Sequence, residues 1–294
     1  TNGGKQAIFN LFQVVLNPGD EVLIPSPYWL SYPEITLLAG ATPTIVKSSP
    51  SQAFKLEIEN LEAKVSSKTR LLILNSPSNP SGLVMTKSEM EDIADFLRRH
   101  PKILLMSDEI YEFLLADDQT HHSFAAIAPD LSNRIFTVNG FAKGWAMTGW
   151  RVGYLIGQTD VIKKATALQS QSTSNVCSFA QKGALAALQG PKDPIDKMVK
   201  TYSSRRTLLF NGLSAIQGIE LTEPKGAFYA FPEIKTKQIG SINFCKIALE
   251  TVGLSMIPGI AFGEDSCIRL SCAVSSETIT DGLERLKNLL TDFH

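Results

Sequence analysis

Short apolar runs alternate with longer amphipathic stretches along the first two thirds of the chain. Runs of β-branched and leucine residues bounded by turn residues are typical of strands, and apolar residues that recur every three or four positions predict helices. The pattern predicts strands at residues 21–24, 43–46, 69–75, 103–107, 135–139 and 151–156, and helices at 5–16, 31–39, 87–98 and 160–170. Thr86, with Glu89 three residues later, is the expected N-cap of the third helix.

This alternation predicts an α/β fold, in which a mostly parallel sheet is sandwiched by helices. The pattern changes after about residue 190, where Pro191 and Pro194 precede a long amphipathic stretch at 195–214. Shorter strands (228–231, 254–257, 268–271) and further helices (241–251, 277–292) follow. We therefore predict a large domain at residues 1–194, and a connecting helix with a smaller α+β domain at residues 195–294.

Composition narrows the class of protein. Hydrophobic residues make up 44% of the 294 residues, and 28 Lys and Arg nearly balance 29 Asp and Glu. Nucleic-acid binders usually carry a basic excess, and a membrane span needs about 20 consecutive apolar residues. The chain has neither feature, so we expect a cytoplasmic protein without a nucleic-acid or membrane partner.

The cysteines and histidines form no pattern that indicates a metal site. Four cysteines without C-x-x-C spacing are too few for a disulfide framework, and we expect them to be buried thiols. The histidines fall outside every motif described below, and we expect them at the surface. These residues are Cys177, Cys245, Cys267 and Cys272, and His100, His121, His122 and His294.

The most informative chemistry follows the strand predicted at 135–139. Lys143 lies there among small residues, eight positions before Arg151. The amine of a lysine condenses with aldehydes, and its pKa falls readily in an apolar loop or beside another cation. The planar cation of an arginine suits a phosphate. Alone, this pair has an ordinary interpretation as a surface lysine and a strand arginine in a salt bridge.

Polar residues at two other strand ends change that interpretation. Asn79 follows the strand at 69–75, and Asp108 and Tyr111 follow the strand at 103–107. Ligands of open α/β sheets bind at the carboxyl ends of the strands, so these side chains are expected to meet Lys143. Pyridoxal 5'-phosphate requires an amine for its aldehyde, a carboxylate for its ring nitrogen, and donors for its phosphate and ring oxygen.

The chain resembles the class I pyridoxal-phosphate aminotransferases, and within them the bacterial aspartate and aspartate/prephenate aminotransferases. The matching motifs run in order along the chain: residues 3–7 (GGKQA), 27–33 (PYWLSYP), 75–82 (NSPSNPSG), 108–111 (DEIY), 143–154 (KGWAMTGWRVGY) and 268–271 (IRLS). The resemblance implies the type I fold of pyridoxal-phosphate enzymes. It also implies a homodimer that transfers an amino group from an amino acid, with aspartate or glutamate expected, to a 2-oxo acid.

The resemblance also assigns roles to individual residues. It implies that Lys143 forms the Schiff base and moves the proton, that Asp108 pairs with the ring nitrogen, and that Tyr111 and Asn79 donate to the ring oxygen. Trp29 would stack on the ring, with Tyr28 as a possible substitute. Gly3, Gly4, Lys5 and Arg151 would hold the phosphate, while Arg269 and Asn79 would bind the substrate α-carboxylate, and Lys5 a distal one.

Two departures accompany the resemblance. Many relatives carry a hydroxyl residue three positions before the lysine, where this chain has Gly140, and Thr137 or Ser107 are candidate replacements. The chain also starts at Thr1 without a Met, and we expect it to lack an N-terminal segment that relatives contribute to the small domain and the dimer. Three alternatives to an aspartate aminotransferase stay open. They are a prephenate or aromatic aminotransferase, a lyase or synthase of the same fold, and a cofactor-binding module without turnover.

Overall fold

The computed structural model describes residues 1–235 and 239–291. Its central sheet has six strands in the order β2-β1-β3-β4-β5-β6, in which β1 to β5 are parallel and β6 is antiparallel to β5. The strands are β1 (Glu21–Pro25), β2 (Thr42–Val46), β3 (Thr69–Asn75), β4 (Leu104–Asp108), β5 (Ile135–Gly140) and β6 (Gly153–Ile156). The predicted mostly parallel sheet is thus confirmed.

Helices cover both faces of this sheet. They are α1 (Gly4–Val15), α2 (Ser31–Leu38), α3 (Ile58–Glu62), α4 (Lys87–Arg99), α5 (Phe124–Ile127), α6 (Thr159–Ser170) and α7 (Ser178–Gln189). Successive strand residues point to opposite faces, so Val22 and Ile24 pack in the cluster with α1, whereas Leu23 packs in the cluster with α4. The two apolar layers fix the sheet between the helices.

The first strand residue of β6 differs from the prediction. The predicted strand began at Arg151, but that residue has a φ of 55° and follows a short 3-10 turn, Thr148–Trp150. The N-terminus of α4 agrees with the prediction. Thr86 Oγ1 accepts a hydrogen bond from the Glu89 amide at 3.2 Å, and Glu89 Oε2 accepts one from the Thr86 amide at 2.7 Å.

The C-terminal part follows the long helix α8 (Asp193–Ser214) and has its own apolar cluster. Its three-stranded sheet has the order β10-β11-β8, and β7 pairs with β9. The elements are β7 (Ile219–Glu220), β8 (Tyr229–Ala230), β9 (Glu233–Ile234), α9 (Ser241–Val252), β10 (Ile257–Pro258), β11 (Ile268–Ser271) and α10 (Ser276–Thr291). The division into two domains at residues 194 and 195 stays a prediction.

The strand predicted at 254–257 is wrong except for its last residue. Gly253 ends α9 with a φ of 65°, and the Leu254 amide still donates to the Ala248 carbonyl, so the strand begins only at Ile257. Helix α7 was not predicted. The predicted last helix extended to residue 292, which lies outside the described residues.

Two predictions about cysteines and histidines are corrected. Cys177 is exposed, because it lies at the start of the surface helix α7, whereas Cys245, Cys267 and Cys272 are buried as predicted. His121 is not a surface residue, since its Nε2 lies 3.1 Å from Oε2 of the buried Glu109. The fourth histidine, at position 294, lies outside the described residues. Within residues 1–235 and 239–291, no helix is both long and apolar enough to cross a membrane.

Candidate active site

The polar residues at the strand ends meet at one cavity of about 350 Å³. In the sheet, Asn75 at the end of β3 is in register with Asp108 at the end of β4, which in turn neighbours Val138 in β5. Every predicted site residue except Gly3 lines this cavity, namely Gly4, Lys5, Trp29, Asn79, Asp108, Tyr111, Lys143, Arg151 and Arg269. A volume of this size suits a small-molecule site.

Asp108 forms the closed end of the cavity. It is 5% exposed, and its two oxygens accept hydrogen bonds from the Tyr32 hydroxyl at 2.7 Å and from the Ile110 amide at 3.2 Å. Burial raises the pKa of this carboxyl to about 6, although both hydrogen bonds lower it. Within the described residues, Asp108 forms no ion pair. A cationic ring nitrogen would supply the missing partner.

Lys143 follows β5 and lies partly buried in the same cavity. Its loop is tight, because the Ala146 amide donates to the Lys143 carbonyl at 3.2 Å, and a Cβ on Gly144 would lie 2.5 Å from the Phe113 ring. Burial lowers the pKa of the Lys143 amine, and the charges of Arg151 and Arg269 lower it further. This environment increases the fraction of neutral, nucleophilic amine.

The opposite end of the cavity is open and is built from backbone. Helix α1 begins at Gly4 without a side-chain N-cap, so its first amides are available to an anion. Gly3 has a φ of 84°, and a Cβ there would overlap the Arg151 guanidinium. Arg151 donates to the carbonyls of Thr148 at 2.8 Å and Asn2 at 3.3 Å, which place its cation beside the helix terminus.

Arg269 reaches the cavity from β11 in the C-terminal part. Its Nη1 donates to Asn79 Oδ1 at 2.9 Å, and its guanidinium carbon lies 4.5 Å from the Tyr229 ring centroid and 4.8 Å from that of Phe262. Burial lowers the pKa of Arg269. The guanidinium is therefore oriented and partly desolvated, as bidentate carboxylate binding requires.

Trp29 and Tyr28 have different surroundings, although they are adjacent in sequence. Trp29 lines the cavity, and Lys5 Nζ lies 4.9 Å from its ring centroid. Tyr28 instead lines a neighbouring cavity and packs against Gly263. The Tyr28 alternative for ring stacking is therefore not favoured by the geometry.

The structure explains why position 140 is glycine. A Cβ there would lie 2.8 Å from both the Gly153 Cα and the Val152 carbonyl oxygen, so a serine or threonine does not fit. The suggested replacements do not compensate, because Ser107 donates to Glu109 at 2.8 Å, and neither Ser107 nor Thr137 lines the cavity. The hydroxyl that does line it beside Arg151 belongs to Thr148.

Sequence reasoning missed three cavity residues that carry a hydroxyl group: Tyr32, Thr148 and Tyr229. Tyr32 and Thr148 lie within the matched motifs, but their positions alone do not identify their partners. The hydroxyl of Tyr229 lies 3.1 Å from that of Tyr111, a residue 118 positions away. The motif order could have suggested Tyr32, whereas Tyr229 had no comparable signal.

Known proteins are similar to this chain in sequence over nearly its whole length. A bifunctional aspartate aminotransferase and glutamate/aspartate-prephenate aminotransferase of Petunia hybrida is 44% identical over 99% of this chain and 63% of its own length. A probable aspartate/prephenate aminotransferase of Rickettsia prowazekii is 43% identical, over 98% of this chain and 75% of its own length. The chain thus spans between about three fifths and three quarters of these two relatives.

Solved structures agree with the sequence comparison. The crystal structure of an aspartate aminotransferase from Rhizobium meliloti superposes with a TM-score of 0.94 at 38% identity, covering 98% of this chain and 74% of that one. An aspartate aminotransferase from Thermus thermophilus with maleate gives a TM-score of 0.91 at 38% identity, covering 98% and 75%. These similarities confirm the predicted α/β fold as that of the type I pyridoxal-phosphate enzymes.

The profile of the family described as "Aminotransferase class I and II" matches residues 1–286. Both the match over nearly the full chain and the relatives above 40% identity point to one assignment. The chain belongs to the class I and II aminotransferase family.

Proposed function

We propose that this chain carries the catalytic site of a pyridoxal 5'-phosphate-dependent aminotransferase that moves an amino group between an amino acid and a 2-oxo acid. The observation that carries the proposal is the convergence of Lys143, Asp108 and Arg269 on one cavity. They provide an amine with a lowered pKa, a buried carboxylate without an ion pair, and an oriented guanidinium.

The cavity residues fit the cofactor at each of its functional groups. Lys143 Nζ would bind the aldehyde carbon, Asp108 would accept a hydrogen bond from the ring nitrogen, and Tyr111 with Asn79 would donate to the ring oxygen. The amides at the start of α1, together with Arg151, would hold the phosphate. Pyridoxal 5'-phosphate, when bound, supplies an electron sink for negative charge at the substrate Cα.

Proton transfer falls to Lys143 in this proposal. Its amine is partly buried, and its lowered pKa makes it a better base near neutral pH than an exposed lysine. Arg269 would hold the α-carboxylate by two parallel hydrogen bonds, which keeps the Cα proton within reach of Lys143 Nζ. Trp29 would cover one face of the ring and exclude water from it.

Aspartate or glutamate is the proposed amino donor because a second cation lies at the cavity. Lys5 projects from the first turn of α1 and lies over Trp29, where it could bind a distal carboxylate. The structural relative with maleate has a dicarboxylic ligand. Prephenate also carries a second carboxylate, and the Petunia relative is named for both activities, so aspartate-prephenate transfer is the second candidate.

A half-reaction tests the proposal directly. The protein is loaded with pyridoxal 5'-phosphate, mixed with aspartate, and followed by visible absorbance, with oxaloacetate measured as the product. We expect loss of the cofactor band with release of one oxaloacetate per site, and the reverse change with 2-oxoglutarate. Lys143→Ala should abolish the reaction, while the same substitution at the exposed Lys164 of α6 should leave it unchanged.

Two outcomes separate the alternatives. A loaded protein that retains its visible band with every amino acid in a panel of aspartate, glutamate, phenylalanine and alanine is a binding module without turnover. Loss of the α-carboxylate or β-substituent of aspartate without oxaloacetate formation identifies a lyase of the same fold. Assays of prephenate and aromatic 2-oxo acids as acceptors distinguish the two candidate transfers.

A homodimer is also part of the proposal. Phe179 in α7 is 75% exposed, and Trp150, next to Arg151, is 47% exposed, so an apolar surface lies beside the open end of the cavity. Light scattering during gel filtration tests this, because the chain mass is 32.1 kDa and a dimer has twice that mass. A mass that remains monomeric at high concentration contradicts it.

A further inference from the structure

Tyr229 links two parts of the cavity that come from distant parts of the chain. It lies in β8, is 8% exposed and lines the cavity. Its hydroxyl is 3.1 Å from the Tyr111 hydroxyl, and the two rings meet edge to face with centroids 5.9 Å apart. β8 pairs with β11, which places Arg269 over the face of the Tyr229 ring.

The direction of the hydrogen bond between the two hydroxyls decides what Tyr111 can do. A phenol has one hydrogen to donate, so if Tyr111 donates to Tyr229, it has none left for a ligand. Burial raises the pKa of Tyr229, and its hydrogen bond with Tyr111 and the charge of Arg269 oppose that rise. A cation at 4.5 Å from the ring centroid makes the Tyr229 hydroxyl a better donor. Tyr229 is therefore the favoured donor and Tyr111 the acceptor.

We propose that Tyr229 is a positioning residue that acts through Tyr111. Its hydroxyl donates to Tyr111 and leaves the Tyr111 hydrogen free for the ring oxygen of the cofactor, while its ring supports Arg269 for the substrate carboxylate. This inference rests on the proposed function, since it assumes that Tyr111 faces that ring oxygen.

Two separable effects follow. A hydroxyl that accepts one hydrogen bond becomes a stronger donor in the next, so Tyr229 strengthens the bond from Tyr111 to the ring oxygen. That bond would withdraw electron density from the ring oxygen of a bound cofactor, so that a proton beside this oxygen would be held less tightly. Loss of the Tyr229 hydroxyl should raise the pH at which the visible band changes. Loss of the Tyr229 ring should instead weaken the support of Arg269.

The first effect is tested by absorbance titration of the loaded protein without substrate. We expect Tyr229→Phe to raise the midpoint pH by about 0.5, and Tyr111→Phe to raise it further. The double variant should match Tyr111→Phe, because the Tyr229 hydroxyl acts only through Tyr111. Tyr202→Phe is the matched control, since Tyr202 also packs on Phe228, with ring centroids 5.4 Å apart.

The second effect is tested by steady-state kinetics with aspartate. Tyr229→Phe keeps the ring and should change KM less than twofold, whereas Tyr229→Leu should raise KM about fivefold through loss of the cation–π contact. Tyr229→Leu also lacks the hydroxyl, so its midpoint pH should rise as in Tyr229→Phe. It therefore repeats the first test if the phenylalanine variant does not fold.

Three results would overturn the inference. The first is a midpoint pH that is unchanged in both Tyr229 variants. The second is a midpoint pH of the double variant above that of Tyr111→Phe. The third is an equal rise in the KM for aspartate in Tyr229→Phe and Tyr229→Leu. The last result would mean that the hydroxyl binds substrate directly. If the loaded wild-type protein shows no visible band and releases no oxaloacetate from aspartate, the proposed function fails instead, so the two failures are distinguishable.

Discussion

The two ends of the cavity are built on opposite principles. At the closed end, Tyr32, Asp108 and Tyr111 are each less than 6% exposed and are held by side-chain hydrogen bonds. At the open end, Lys5, Thr148 and Arg151 are exposed, and the close fit is made by glycine backbone. The closed end should therefore be sensitive to the removal of single polar atoms. The open end should be sensitive to the addition of single carbon atoms.

The largest expected effect is at the closed end. Asp108→Asn keeps the shape of the side chain but removes the charge that would hold a proton on the cofactor ring nitrogen. We expect the rate of the aspartate half-reaction to fall about 100- to 1,000-fold. Single-turnover absorbance measures it, with Asp117→Asn, an exposed neighbour in sequence, as the control. A fall below tenfold would remove Asp108 from its proposed role.

The same substitution should change how stability depends on pH. Burial raises the pKa of the Asp108 carboxyl from 3.8 to about 6. A carboxyl group whose pKa is higher in the folded state than in the unfolded state costs no stability at a pH below its unfolded pKa. The protein then becomes less stable as pH rises from the unfolded pKa to the folded pKa. Between pH 4 and 7 the unfolding free energy of Asp108→Asn should therefore gain about 2 kcal/mol relative to the wild type. Urea unfolding of both cofactor-free proteins measures this, and parallel pH curves would contradict it.

An added atom should be the damaging change in the glycine backbone beneath the open end, where the buried Gly140 packs on Gly153 and Gly153 packs on Gly3 and Gly4. Gly140→Ser restores the hydroxyl that many relatives carry, yet its Cβ would lie 2.8 Å from backbone atoms of Val152 and Gly153. We expect a loss of about 1–3 kcal/mol in unfolding free energy, together with weaker cofactor binding. Gly149→Ser is the control, because a Cβ there meets nothing within 4 Å. Tighter cofactor binding by the Gly140 variant would show that the backbone can yield.

A smaller effect is expected from a single hydroxyl at the closed end. Tyr32→Phe removes a 2.7 Å hydrogen bond that lowers the pKa of Asp108, so that pKa should rise above about 6. Cofactor affinity, which needs the carboxylate, should then weaken about tenfold near pH 6 and recover as pH rises. Fluorescence titration across pH measures this, and Tyr28→Phe in the neighbouring cavity is the control. A loss independent of pH would point to packing instead.

The smallest effect is expected at the exposed cation. Lys5→Gln should raise KM for aspartate about fivefold and leave KM for alanine unchanged, because only aspartate has a distal carboxylate. The difference should shrink as salt is added, since the charge is exposed to solvent. An equal change for both substrates would mean that Lys5 acts on the phosphate rather than on the substrate.

The sequence predicted the parts of this site that depend on local position. Lys143 and Asn79 follow strands and Asp108 ends one, and a parallel sheet brings the ends of its strands to one edge. The alternation that placed those strands was strong, because each is five to seven residues long and buried on both faces. The α/β fold was predictable for the same reason.

The remaining parts depend on contacts that no local pattern encodes. A strand was predicted at 228–231, but its pairing with β11 and the contact between Tyr229 and Tyr111 join distant parts of the chain, so Tyr229 could not be placed opposite Tyr111. His121 was assigned to the surface because it lies outside every motif, and its contact with the buried Glu109 depends on tertiary packing. Position 140 requires glycine because the start of β6 packs directly against it, and that contact is not encoded in the local sequence.

The bond between Arg269 and Asn79 has a consequence for folding. The two residues are 190 positions apart, so the proposed binding of a substrate carboxylate would require both β3, which precedes Asn79, and β11, which carries Arg269, to be in place. Contacts of such sequence separation form slowly, because a long loop must close first. During refolding, helical signal should return before the ability to bind a dicarboxylate. Ligand binding thus reports the last step of assembly, and a chain that has regained its helices is not yet competent.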